Sequence, residues 1–247
     1  MKLTVIGCGD AFGSGGRRQT SYLLEAGGEA VLIDCGATTI MGFNALGLDT
    51  RRVGAIVISH LHGDHFSGLV WWLIHALHVS KRTEPLDIWG PPGIEARFMA
   101  AAEILFPGCT KAPRNFAMTF FEMRAGTAAT IAGISVMAHE VSHPSGAPSH
   151  ALRFTGHGKV LAFTGDSEWI DALIPVGGGA DLYIMECYKA AGEPRYHMSW
   201  STIRTKLDAI GAKRTLLTHM ADDMLAQSAM ITDPRIICAA DGLVIDV

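Results

Sequence analysis

Residues 59–65 read SHLHGDH, directly after the apolar run VGAIVI at 53–58. Three histidines and an aspartate fall within six positions, at the end of what reads as a strand. In extended backbone, residues two apart point to the same side, so His60 and His62 can grip one ion together. A turn at Gly63 redirects the chain, and Asp64 and His65 can then face a neighbouring point. One loop thus offers two pairs of ligands to two adjacent metals. Imidazole nitrogen combined with carboxylate oxygen suits zinc, with manganese or iron as the alternatives.

The flanking sequence sets this loop in a regular alternation. LTVIG (3–7), SYLLEA (21–26), AVLIDCG (30–36) and AIVIS (55–59) read as strands. FSGLVWWLIHALHVSK (66–81) has helical length and apolar density, LDIWGPPG (86–93) is a strand closed by Pro-Pro-Gly, and IEARFMAAAEILF (94–106) is a second helix. Near Pro113 the pattern restarts. FAMTFFEM (116–123), ATIAGISVMAHEV (129–141), HALRFTG (150–156) and KVLAFTGD (159–166) read as four consecutive strands, with turns at Gly126, Gly156 and Gly158. DLYIMEC (181–187) is another strand. SWSTIRTKLDAIG (199–211) is a helix with a serine as N-cap and Gly211 at its end. RTLLTHM (214–220) is a strand, followed by a short helical piece and a terminal GLVIDV. Two strand-rich halves, each with helices after its strands, predict an α/β fold of two mixed sheets packed face to face with helices outside. No low-complexity linker divides them, so residues 1–247 read as a single domain.

Bulk composition narrows the function classes. Hydrophobic residues make up 49% of the 247 residues and charged residues only 18%, enough for a sizeable core and too apolar for global disorder. The formal charge is -4 and no Lys/Arg run is longer than two, so extended nucleic-acid binding is not expected. The opening MKLTVIGCGD is too soon broken by glycines for a signal peptide, and no run approaches the length of a membrane span. Five scattered cysteines with no C-x-x-C pair read as free thiols. A cytoplasmic protein without a membrane partner is the expectation.

SHLHGDH followed by FSGL resembles the HxHxDH signature of the metallo-β-lactamase superfamily. That resemblance implies a four-layer αβ/βα sandwich with two metals at one edge of the sheets. It also implies three later ligands: a histidine for the first metal, a bridging aspartate, and a last histidine for the second. FTGDS supplies Asp166 and LLTHM supplies His219, both at strand ends. For the middle histidine His139, His143 and His150 are candidates. The resemblance favours His143, because HPSGAPSHALRF matches the family segment in which a ligand leads into a glycine-containing turn and a strand. The implied set is His60, His62 and His143 on one zinc, Asp64, His65 and His219 on the other, and Asp166 shared. His75 and His78, on an apolar helix, read as partly buried structural residues, and His157 as a solvated turn residue.

DLYIMECYKAAGEPRYHMSWSTI resembles a segment of the ribonuclease Z-like branch, in which a strand ends in glutamate and a histidine precedes a helix with a serine-threonine pair. Here MSW lies between histidine and that pair, a looser match. The resemblance implies that Glu186 orients His197, and that His197 protonates the leaving oxygen or stabilises charge on phosphate. A carboxylate raises the pKa of an imidazole beside it and makes it the better proton donor. Asp64, His197 and Glu186 are therefore the catalytic candidates. VIGCGDAFGSGGRRQTSYLLEAGGEAVLIDCG resembles the opening of the same branch, with Asp34 as a buried carboxylate behind the metals or a structural one. Arg17 and Arg18 either meet a phosphate or sit on a solvated loop.

Two metals sharing a carboxylate also tend to share a water, whose pKa falls from near 16 to about 7. The implied reaction is hydrolysis by a metal-bridging hydroxide. No glycine-rich, basic insertion for transfer RNA is visible, so the expected substrate is a small cyclic or nucleotide phosphodiester. The alternatives are a lactonase or thioesterase of the same fold, or ribonuclease Z-like tRNA 3' processing without the usual arm. VWWLIHALH (70–78) suits either a homodimer contact or core packing.

Overall fold

The computed structural model describes residues 1–247. Strands β1 (Lys2–Gly7), β2 (Ser21–Ala26), β3 (Glu29–Ile33), β4 (Ala55–Val57), β5 (Leu86–Gly90) and β6 (Met118–Glu122) come from the first half of the chain. The second half contributes β7 (Ala128–Ile131), β8 (Ile134–Val141), β9 (Ser149–Gly156), β10 (Lys159–Phe163), β11 (Leu182–Glu186), β12 (Thr215–Thr218), β13 (Ile236–Cys238) and β14 (Val244–Asp246). They form two seven-stranded sheets, ordered β14-β1-β2-β3-β4-β5-β6 and β13-β12-β11-β10-β9-β8-β7. Both are mixed. β3 to β6 run parallel and β1 to β3 antiparallel, while β10 to β13 run parallel and β7 to β10 antiparallel.

Period-2 alternation builds the layers. In β3, Val31 and Ile33 join the core between the sheets, whereas Ala30 and Leu32 face outward. In β11, Leu182 and Ile184 turn inward, and Tyr183 and Met185 outward. The outer face of the first sheet is covered by α1 (Thr39–Ala45), α2 (Gly63–Phe66), α3 (Gly68–His78) and α4 (Ile94–Leu105), with Phe43, Trp72 and Phe98 wholly buried there. Burying a phenylalanine of this kind contributes about 2–3 kcal/mol. The second sheet is covered by α5 (Leu173–Gly177), α6 (Trp200–Ile203), α7 (Leu207–Ile210) and α8 (Asp222–Ser228) through Leu173, Ile203, Ile210 and Met224. This is the four-layer αβ/βα sandwich.

Several elements differ from the sequence reading. Residues 129–141 are not one strand: Ala132 (φ 46°) and Gly133 (φ 74°) turn β7 back on β8 as a hairpin. Two successive left-handed residues are what a two-residue hairpin turn requires. The helix read over 199–211 is two short pieces. Ser199 does cap the first, accepting from the Thr202 N–H, and Gly211 does end the second at φ 67°. Between them the Thr205 hydroxyl bonds the Thr202 carbonyl at 2.7 Å, a local alternative to helix continuation. Helix also begins earlier than read, at Gly63, inside the histidine motif. Within VWWLIHALH, Val70, Trp72 and Leu73 belong to the core. His75 is half-buried, with Nδ1 3.5 Å from the Thr50 hydroxyl, but His78 is exposed. His157 lies exposed in the β9–β10 turn, as expected. No helix is long and apolar enough to cross a membrane.

Candidate metal centre

The candidate residues gather where strands end. His60, His62, Asp64 and His65 follow β4, His143 follows β8, Asp166 follows β10, and His219 follows β12. The carboxyl ends of parallel strands are where open α/β sheets place their ligands. Two donor groups result. Ligating atoms of His60, His62 and His143 lie within 4.8 Å of one another, and so do those of Asp64, His65, Asp166 and His219. Asp166 Oδ2 lies between the groups, 3.3 Å from Nε2 of His65 and of His219, 3.8 Å from Nε2 of His60 and 4.0 Å from Nε2 of His143. Asp64 Oδ2 is 3.3 Å from His65 and 3.2 Å from His219. His139 and His150 stay inside β8 and β9, away from both groups.

The rings are aimed by partners on their far sides. Asp34, wholly buried, accepts from the Ser59 N–H, the Ser59 hydroxyl and Nδ1 of His65, each at 2.7 Å. With Nδ1 committed to Asp34, Nε2 of His65 is turned toward the two aspartates. His143 Nδ1 donates to the Tyr196 carbonyl at 2.8 Å, and its Nε2 lies 2.9 Å from His62 Nδ1. Nε2 of His60 and of His65 are buried without a hydrogen-bond partner. Buried polar atoms are rarely left so, and both point to the place a cation would fill. Asp34, Tyr196 and His219 adopt positive φ (57°, 68° and 57°), strained backbone of the kind that collects at functional sites.

Electrostatics fit a cation-binding donor set. Burial opposes ionisation of Asp166, but the charges of His219 and His65 hold its carboxyl well below the usual range. Asp64 is depressed in the same way, burial being outweighed by His65 and His219. His219 is pushed up to about 9, burial being outweighed by Asp166 and Asp64. Four buried imidazoles crowded around two carboxylates are a divalent-metal site by their chemistry.

Beside this cluster, Glu186 ends β11 and is wholly buried. Nδ1 of His197 lies 3.1 and 3.2 Å from its two oxygens, which also accept from the Ser167 and Met198 N–H groups. A cavity of about 270 Å³ opens over the cluster, lined by His62, Asp64, His143, Asp166, His197 and His219 together with Asp10, Ala11, Phe12, Tyr188 and Tyr196. The sequence reading missed Phe12, Tyr188 and Tyr196. Tyr188 follows Glu186 by two and Tyr196 precedes His197, so adjacency to the motif was the available signal. Arg17 and Arg18 do not line the cavity. The Arg18 guanidinium turns inward to the Ile6 carbonyl and Asp241.

Residues 1–237 match the family described as Anti-Pycsar protein Apyc1. The chain belongs to this family. Among proteins similar to this Apyc1-family chain is ribonuclease Z of Methanothermobacter thermautotrophicus, 26% identical over 90% of this chain and 87% of its own. The probable metallo-hydrolase YhfI of Bacillus subtilis is 25% identical over 99% of both chains. The crystal structure of YhfI, a metallo-β-lactamase fold protein, superposes with a TM-score of 0.80 at 22% identity, covering 99% of this chain and 98% of that one. A diphosphatase of the PhnP family superposes with a TM-score of 0.79 at 19% identity, covering 100% and 97%. The fold is that of the metallo-β-lactamase superfamily, and this member of the Apyc1 family is a metal-dependent hydrolase.

Proposed function

We propose that the protein is a phosphodiesterase acting on small cyclic or nucleotide phosphodiesters with two zinc ions. The observation that carries this reading is the Glu186–His197 pair at the rim of the His/Asp cluster. His60, His62 and His143 would hold one ion, Asp64, His65 and His219 the other, and Asp166 both. Bound there, divalent ions supply Lewis acidity toward phosphoryl oxygens and activate a water.

The chain's own residues account for the rest. Glu186 fixes the tautomer of His197 by taking Nδ1–H, which leaves Nε2 as the end that gives its proton to the leaving oxygen. Burial disfavours the charged ring, but the hydrogen bond and charge of Glu186, with Asp166, outweigh it and raise the His197 pKa. Asp64 and Asp166 remain ionised and offset the mutual repulsion of two cations. A thioester, whose thiolate leaves readily, would need no such proton donor, whereas an alkoxide leaving group does. A small substrate is supported by the cavity volume and by the short crossover between β10 and β11, whose only helix is the five-residue α5.

The test is hydrolysis of bis(p-nitrophenyl) phosphate beside a panel of lactones and thioesters, with the zinc-loaded enzyme. Turnover of the phosphodiester with little of the others supports the reading. Lactone or thioester turnover without phosphodiester turnover overturns it.

A further inference from the structure

Tyr196 stands at φ 68°, in the left-handed region that favours glycine. A tyrosine stays there only where its surroundings hold it, and both of its peptides have a partner. On one side of its Cα, the Tyr196 N–H donates to Oε1 of Glu168 at 2.9 Å. On the other, the Tyr196 carbonyl accepts from Nδ1 of His143 at 2.8 Å. The Glu168 backbone closes the circuit: its N–H donates to the Ser142 carbonyl at 3.0 Å, one residue before His143. Ser167 reinforces it, its hydroxyl accepting from the Ser142 N–H at 3.2 Å and its own N–H donating to Glu186 at 2.6 Å. Residues 142–143, 167–168 and 196 thus form a closed ring of hydrogen bonds behind the His143 imidazole. The Glu168 carboxylate has no competing partner. Arg195 and Lys206 line the same cavity as Glu168, about 600 Å³ beyond His197, but both lie over aromatic rings. Arg195 is 4.4 Å from the centre of Tyr196 and Lys206 5.4 Å from that of Trp169.

We infer that Glu168 is a positioning residue for the metal centre: it holds Tyr196 so that the Tyr196 carbonyl fixes the tautomer and ring plane of His143. A carbonyl can only accept, so Nδ1 of His143 carries the proton and Nε2 is the end left for an ion shared with His60 and His62. The inference rests on the two-metal part of the reading above and is independent of the substrate.

The experiment titrates zinc into metal-stripped protein by calorimetry, for the native chain, Glu168→Met, Glu168→Ala and Glu168→Gln. Met and Ala remove the acceptor, whereas Gln keeps an acceptor oxygen and removes only the charge. Met and Ala should raise the Kd of one of two zinc ions about tenfold and leave the other within about twofold. Gln should stay within about threefold of native for both. Native affinity in Met and Ala overturns the inference, and so does a loss in Gln equal to theirs, which would mean that the charge acts and not the bond. In parallel, NMR of the stripped protein follows the His143 Nδ1–H proton, assigned by its disappearance in His143→Gln. That proton should be lost or shifted in Met and Ala and kept in Gln. If the native chain binds no zinc, the metal reading fails, and the NMR result still decides the positioning role. An Nδ1–H signal unchanged in Met and Ala overturns it.

Discussion

At 3.1 and 3.2 Å from the two oxygens of Glu186, Nδ1 of His197 is committed, and the ring acts only through Nε2. If His197 is the general acid, its protonated form is the active one. Its pKa is raised above 6.5, so kcat holds below that raised value and falls as pH climbs through it. Glu186→Gln removes the carboxylate that opposes burial, and the falling limb of the pH–rate profile moves to lower pH. His197→Ala should keep its metal content by elemental analysis and lose about 100-fold or more in kcat, with the limb abolished. Unchanged turnover would end the assignment. Asp166→Ala should lose metal and activity together, because its Oδ2 lies near both donor groups. The contiguous donors were legible because one loop holds four of them. His143 needed more: three histidines compete in 139–150, and only its place past the end of β8 brings it to His62. Tyr188 and Tyr196 could be reached only by adjacency to Glu186 and His197, and Phe12 was not legible at all, since a single aromatic in a loop carries no periodicity and its exposure is a property of the folded chain.

Elements place those residues through close contacts that tolerate little change. α3 starts at Gly68, where a Cβ would come within 2.6 Å of the Cys35 carbonyl oxygen and closer still to that of Gly36. Both are backbone atoms and cannot rotate away. Gly68→Ala should push α3, and α2 ahead of it, off the β3 end. The expected outcome is a loss of about 2–3 kcal/mol in denaturant unfolding, with weakened metal retention through His65. After α3, Arg82 is 2% exposed and donates to the carbonyls of Thr50, Val53, Glu84 and Pro85. Arg82→Met strands those acceptors and should cost about 2–4 kcal/mol, read the same way. Sequence periodicity located most strands, because alternating burial writes itself into β3 and β11. It merged β7 with β8, since Ala132 is an apolar residue that reads as strand and its φ of 46° comes from the turn. It overlooked β13, whose three half-buried residues carry no clean alternation.

Across the whole molecule, the candidate ligands come from two sheets that otherwise meet through apolar side chains. The first sheet brings His60, His62, Asp64 and His65, and the second brings His143, Asp166 and His219. A metal held by both groups would bind the docked arrangement and not the separated sheets, so chelation would remove a link between them. A metal at about 100 times its Kd adds about 2.7 kcal/mol, and a dialysed, chelator-treated sample should melt roughly 5–10 °C lower by calorimetry. An unshifted Tm would mean that the sheets dock independently of the ions. The two-sheet architecture was legible from the restart of strands after Pro113, but which strand ends would meet was set by the order β13 to β7, which no local pattern encodes. The pairing of Asp64 with His219 spans 155 positions. Contacts of such long range form late in folding. During refolding, cobalt(II) added as a coloured substitute should therefore develop its absorbance only in the last kinetic phase, after most strand signal has returned, and the ion then serves as a clock for the closing step of assembly.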